Sequence, residues 1–312
     1  MIRGMELLWN PPLSEAWTRF HRDNSGSLQQ SWAYGEALRS LGVEVVRVVA
    51  MDQGRWLACA QFIARRILAY ISLASCSRGP VFDPQVGLEQ RREFLQRVRQ
   101  GLPVKTFKVP LFSPNTPRTD WDAQEVKGMH RVLTGYSTVL IDLMQDPQNL
   151  RADLDGKWRN RLVRAENHTE LRFFFQPSRA QLQNLLAREM EQRRSRGFFG
   201  LPTDFVTRYV EVHEKPAQAF RLAWAEQQRT PIASMLFLLH GQVATYHVGW
   251  ANDEGRQANA HNLLLWRAMM ELPQAQIKCL DLGGVNTRDL AGISRFKLGA
   301  GGRVITLPGT FF

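Results

Sequence analysis

Ile277-Lys278-Cys279-Leu280-Asp281-Leu282-Gly283-Gly284-Val285 runs from an apolar stretch into an aspartate and a glycine pair. Gly292-Ile293-Ser294-Arg295-Phe296-Lys297-Leu298-Gly299-Ala300-Gly301-Gly302 follows shortly after. Residues 277–281 read as a buried strand. Gly283 and Gly284 at its end allow backbone to approach a ligand closely. Phe296 and Lys297 set an apolar wall beside a fixed positive charge, which suits a phosphate or a developing oxyanion. The plain alternative is a strand-to-loop exit, with Lys297 answering a helix C-terminal dipole.

Working outward, the second half of the chain alternates helices with strands. Helices are predicted over 147–167, 178–196, 203–213 and 259–272, and strands over 220–225, 231–240 and 243–250. Asp146-Pro147 is a suitable helix start. In the first half, strands are expected over 43–51, 56–64, 67–75, 104–112 and 137–143, with an amphipathic helix over 88–99. Residues 113–128, with Pro114 and Pro117, read as a polar loop. A last strand is expected over 304–307. The segment Arg47 to Arg55 lines up with Arg221 to Arg229, each leading into an apolar strand, as two copies of one unit would.

The 312 residues exceed the usual size of a single core, so two domains are expected. Hydrophobic content of 44% with nine Trp argues against disorder. No apolar run is long enough to span a bilayer and the N-terminus lacks a signal-peptide pattern, so a cytoplasmic location is expected. Cys59, Cys76 and Cys279 fit neither a disulfide framework nor a zinc site. Cys59 and Cys279 read as core residues, with Cys76 nearer the surface. The net charge of +11 points to polyanionic partners: tRNA, a nucleotide-linked precursor or an anionic membrane surface.

Several chemistries leave no trace. There is no P-loop, HExxH or GxSxG pattern, and the histidines lack metal-ligand spacing, so no metal is expected. A pyrophosphate loop of the acetyl-CoA-binding type finds its nearest match at Arg194-Ser195-Arg196-Gly197-Phe198-Phe199-Gly200. That stretch has one residue too many and follows a helix instead of opening one.

The 277–302 block resembles the C-terminal signature of the Fem family of peptidoglycan bridge aminoacyltransferases. Gln30-Ser31-Trp32-Ala33-Tyr34-Gly35, Arg78-Gly79-Pro80-Val81-Phe82 and the basic helix Lys157 to Glu166 resemble further family segments, in family order. The resemblance implies an α/β fold with mixed sheets, in two tandem GNAT-like acyltransferase domains without a coiled-coil arm. Domain limits of 1–143, joined by a returning strand at 303–312, and 144–302 are expected.

It further implies aminoacyl transfer from charged tRNA to the amine of a nucleotide- or lipid-linked peptidoglycan precursor, with no bound cofactor. A CoA-dependent N-acyltransferase and a non-catalytic RNA- or partner-binding module are the alternatives. On this reading Lys297 is the signature lysine that stabilises the transition state or a substrate phosphate, and Asp281 orients the attacking amine or accepts its proton. Phe296, Tyr246, Trp32, Gly283, Gly284 and Arg295 line the substrate site. Arg159, Arg161, Arg164 and Arg194 meet tRNA or other phosphates. The rival roles are a strand-end cap for Asp281, core packing for Tyr246 and a solvated face for the helix arginines. One departure is plain: four positions beyond Trp32, where the Gram-positive bridge enzymes carry a phosphate-binding lysine, this chain has Glu36.

Overall fold

The computed structural model describes residues 4–68, 70–104, 107–196, 201, 204–286 and 291–312, with the backbone alone for Leu68, Phe107 and residues 192–196. The chain forms two compact units, Met1–Tyr136 with Thr306–Phe312, and Ser137–Ile305.

In the first unit β1 (Glu6–Trp9), α1 (Ser14–Asp23) and α2 (Trp32–Ser40) precede the meander β2 (Glu44–Asp52), β3 (Arg55–Leu68) and β4 (Ile71–Ser77). The β-branched run Val45-Val46 and Val48-Val49 makes β2 a strand buried on both faces. A short β5 (Val81–Phe82) and α3 (Leu88–Gly101) lead to β6 (Phe107–Ser113), which pairs in parallel with β4. Phe94, Leu95 and Val98 form the buried stripe of α3. The exposed edge strand β7 (Arg131–Thr134) ends the stretch.

The second unit opens with β8 (Ser137–Asp142), α4 (Pro147–Ala152), α5 (Gly156–Glu166), β9 (Arg172–Gln176), α6 (Arg179–Arg196), α7 (Phe205–Glu211) and α8 (Pro216–Ala219). A second meander follows: β10 (Phe220–Gln227), β11 (Thr230–His240) and β12 (Val243–Ala251). The short α9 (Asp253–Gln257) and α10 (Ala260–Glu271) then cross to β13 (Cys279–Val285), parallel to β12. The second unit closes with α11 (Ala291–Leu298) and β14 (Arg303–Thr306), and β15 (Gly309–Phe311) ends the chain.

The first sheet runs β1-β2-β3-β4-β6-β15-β7, with β5 beside β3, and the second runs β14-β8-β13-β12-β11-β10-β9. Each therefore contains a three-strand antiparallel meander followed by a helix-bridged parallel pair. The repeat read from Arg47–Arg55 and Arg221–Arg229 falls on the β2–β3 and β10–β11 hairpins. Both carry a register shift, between Ala50 and Met51 and between Ala225 and Glu226. The fold is the expected mixed α/β pair of units.

Four details depart from expectation. Residues 137–142 pair with β13 in the second sheet, so the division falls after Tyr136 and not after 143. Val139 and Ile141 bury themselves in the second core. The returning segment is split: β14 stays in the second sheet, and only β15 joins the first. Gly302 permits that close approach, since a Cβ there would lie 2.6 Å from the Val139 side chain. The helix expected over 147–167 is two helices, because Asp155 caps α5 by accepting from the N–H groups of Lys157 and Trp158. Cys76 is fully buried, since β4 alternates and turns it inward, while Cys279 is the more exposed.

Candidate active site in the second unit

The end of β13 is built around Asp281. Its side chain is 2% exposed, and Oδ1 accepts from the Thr138 hydroxyl at 2.6 Å and from the Gly283 N–H at 2.8 Å. Opposite β8 the register slips between Asp281 and Gly284, which makes a bulge. Gly283 sits at φ +72°, a conformation that strains any side chain bearing a Cβ. The carboxylate therefore fixes a kinked glycine pair at the strand end. The strand-end cap is the role its contacts describe.

Helix α11 carries Lys297 back over this bulge. Its Nζ donates to the Gly284 carbonyl at 2.9 Å, so it serves the glycine bulge instead of its own helix terminus. The side chain is buried, and a Cβ built on Gly283 would lie 3.7 Å from Nζ. Burial lowers the lysine pKa below its ordinary value, and the negative charge of Asp281 partly opposes that shift. The Tyr246 ring centroid lies 5.8 Å from Nζ. Burial raises the Tyr246 phenol pKa. Gly249 clears room for its hydroxyl, for a Cβ there would sit 2.3 Å away. Lys297, Asp281, Gly283, Gly284 and Tyr246 thus converge: an ammonium, a kinked backbone and a phenol around one strand end.

Phe296 faces another neighbourhood. Its ring centroid lies 5.9 Å from Trp158 and 6.2 Å from His261, and its carbonyl accepts from Trp158 Nε1 at 3.0 Å. Instead of lining a wall at the Lys297 ammonium, it anchors α11 against α5 and α10. Arg295 is exposed and donates to Ala291 of its own helix. Trp32 belongs to the first unit, where the Arg47 guanidinium stacks 3.5 Å from its ring centroid.

The helix arginines separate. Positions 159 and 161 are two apart and lie on different faces of α5. Arg159 donates to the Leu154 carbonyl, whereas Arg161 reaches a cleft at the start of α10, and Arg164 is exposed. The Arg194 side chain and residues 197–200 lie outside the described residues. The parallel β12–β13 crossover provides two helix starts, at Asn252–Asp253 and at Asn259–Ala260, the second where the sequence predicts a helix to begin.

In the first unit the Gln30-Ser31-Trp32 and Arg78-Gly79-Pro80 segments meet. The Gln30 amide donates to Ser77 and to Gln61, and a Cβ on Gly79 would collide with the Gln30 side chain at 2.5 Å. Glu36 bridges Arg47, at 2.6 Å, and Arg39, at 2.8 Å. Among the described residues no cluster could hold a metal ion, and no helix is long and apolar enough to cross a membrane.

Residues 153–298 match the family model of an acetyltransferase (GNAT) domain, which spans most of the second unit. A search of curated protein sequences finds no match. Among solved structures, FemX superposes with a TM-score of 0.83 at 13% identity, covering 97% of this chain and 96% of FemX. The C-terminal domain of a putative lysylphosphatidylglycerol synthetase from Agrobacterium fabrum superposes at 0.55 and 14% identity, covering 96% and 91%. A tandem GNAT protein from the clavulanic acid biosynthesis pathway superposes at 0.50 and 11% identity, covering 99% and 98%. At these identities the likeness is one of fold, and it extends over essentially the whole chain. With the matched domain in its second half, the chain carries a GNAT acetyltransferase domain, an acyltransferase by that match, and over its whole length it has the fold of FemX.

Proposed function

We propose that this protein transfers an aminoacyl group from charged tRNA to the amine of a peptidoglycan precursor or related acceptor. The observation that carries this reading is the buried Lys297 ammonium held at the Gly283-Gly284 bulge beside Tyr246. The acceptor amine attacks the ester carbonyl carbon and a C–N bond forms. The carbonyl oxygen gains charge, and the ester C–O bond breaks as the ribose oxygen leaves and takes up a proton. The amine loses a proton in the same sequence.

An aminoacyl ester is already activated, so positioning and charge stabilisation suffice, and no nucleophilic side chain is required. Lys297 stabilises the oxyanion, and the desolvated setting strengthens that interaction. Asp281 acts through the bulge and through the lysine, keeping the ammonium charged against burial. The chain charge of +11 suits a polyanionic donor.

An acyl-CoA donor is the second reading, favoured by the acetyltransferase description of the matched domain. The test is a transfer assay read by mass spectrometry with UDP-MurNAc-pentapeptide as acceptor, given either a pool of charged tRNAs or acyl-CoAs. A mass gain of one amino acid residue with charged tRNA alone supports the first reading. A gain with acyl-CoA alone replaces it with the second.

A further inference from the structure

In the first unit, strand β3 is longer than its neighbour β2. Their pairing ends at Glu44 opposite Ala64, while β3 continues to Leu68 against β4. Arg65 pairs with Leu73, Arg66 with Ser72 and Leu68 with Ile71, with a register shift between Arg66 and Leu68. This end of the β3–β4 hairpin therefore reaches past the last residue that β2 could cover.

Its side chains are apolar where a solvated turn would be polar. Ile67 is 52% exposed and Tyr70 is 81% exposed, more than any other large hydrophobic side chain among the described residues. Arg65 and Arg66 are exposed beside them, and among the described residues neither forms an ion pair. Glu44, at the base of the hairpin, is the one carboxylate in these registers.

The charge extends into the neighbouring strands. Residues 53–82, which supply β3, β4 and β5, contain four arginines and no Asp or Glu. Residues 94–119, which supply β6, contain five Lys and Arg and again no Asp or Glu. Lys108 of β6 lies in register with Ser72. The sheet end at the hairpin is thus basic with little to neutralise it, and a polyanion complements it.

Guanidiniums alone would suit any polyanion, and Ile67 decides between them. Single-stranded RNA is held by cations and by aromatic stacking, to which an aliphatic side chain adds nothing. Isoleucine and tyrosine both gain by leaving water for the boundary between lipid headgroups and acyl chains. We propose that this hairpin end docks on an anionic lipid surface, with Ile67 and Tyr70 at the acyl boundary and Arg65 and Arg66 on the headgroup phosphates. The inference stands apart from the proposed transfer, because it concerns where the chain sits and not what it transfers.

The experiment floats the full chain with vesicles of phosphatidylglycerol and phosphatidylcholine in equal parts, and with phosphatidylcholine alone. Wild type should bind the anionic vesicles only, and salt should release it. R65Q/R66Q should lose about twentyfold in partition, since each basic side chain near an anionic surface is worth about fivefold. I67S/Y70S should lose about tenfold, as removal of two interfacial side chains does. All four side chains are exposed, so the unfolding midpoints should match wild type. Arg66→Gln and Tyr70→Ser singly give the same reading if a double variant unfolds early.

Wild-type protein that leaves the anionic vesicles unbound overturns the inference. A loss confined to one of the two variants also overturns it, because docking requires both the charges and the apolar side chains. A tRNA transcript is the competing probe. If the variants weaken its binding and leave vesicle binding unchanged, the hairpin belongs to RNA and the lipid surface is wrong.

Discussion

Arg47 in the first unit and Lys297 in the second are both nearly fully buried cations, at 1% and 9% exposure, yet they are held in opposite ways. The Arg47 guanidinium donates to Gln61, Glu36 and the Trp32 carbonyl, and stacks on the Trp32 ring. Its contacts lie within the fold, and even with Glu36 beside it burial pushes its pKa down to about 10. Lys297 gives one hydrogen bond to a kinked glycine bulge, and the negative charge of Asp281 opposes its burial. An ammonium has three donors, so donor capacity remains beyond that one bond. A buried charge saturated by its own protein serves the fold, while one held by a single carbonyl beside a kinked strand end is available for chemistry.

The sharpest way to break this contrast is Lys297→Met. Turnover in the transfer assay should fall about a thousandfold, the scale of losing a principal oxyanion contact. Thermal unfolding should be unchanged or slightly raised, because a desolvated charge is removed and apolar volume is kept. Wild-type turnover, or a protein that fails to fold, would place Lys297 with Arg47 as a structural cation.

A third buried base is governed mainly by desolvation. His21 is 2% exposed and burial lowers its pKa to about 4. The folded state therefore binds fewer protons than the unfolded chain between pH of about 6.5 and 4, and stability falls as pH drops through that window. The loss should approach about 3 kcal/mol for a shift of this size. Denaturant titrations of wild type and His21→Gln across that range provide the check. Equal slopes in both proteins would count against a neutral His21.

Glu36→Gln should destabilise the protein by about 2 kcal/mol. It leaves Arg47 short of its counter-ion, and the partial exposure of Glu36 keeps the loss below that of a wholly buried pair. An effect within about 0.5 kcal/mol, the range of ordinary surface changes, would mean that Arg47 does not depend on that carboxylate. The smallest expected effect is at the bulge. Thr138→Val removes the hydroxyl bonded to Asp281 and should cost about 1–2 kcal/mol. The same variant should lower turnover more than stability if the carboxylate positions Gly283 and Gly284. Unchanged turnover would reduce Asp281 to a strand cap without consequence for the site.

Much of this was legible in the residues. The 277–302 block marked the bulge and the lysine because a strand ending in two glycines, followed by an apolar-lysine pair, is a local pattern with a local cause. The Arg47–Arg55 and Arg221–Arg229 likeness traced real hairpins, since each is one contiguous strand-turn-strand unit. Yet Arg47 is buried by its stack, whereas Arg221 is only partly covered and bonds to the Ala217 carbonyl, so like positions acquired unlike roles.

What escaped was set by tertiary pairing. Nothing local says that 137–142 pairs with β13, or that Gly302 carries β14 against β8. Phe296 looked like a partner to Lys297, but adjacent helix residues point about 100° apart and it packs on Trp158 and His261. The cleft at the start of α10 is not legible locally, because Arg161 reaches it from another helix.

Lys297 can be observed directly. The chain has only seven lysines, so a protein labelled with 13C at the lysine ε-carbon gives few resonances, and the Lys297 signal is assigned by its loss in Lys297→Met. This resonance should titrate below the ordinary lysine range, and lower still in Asp281→Asn, where the opposing charge is gone. A Lys297 signal that titrates in the ordinary lysine range, or one indifferent to Asp281→Asn, would overturn the assignment of a desolvated ammonium balanced by Asp281.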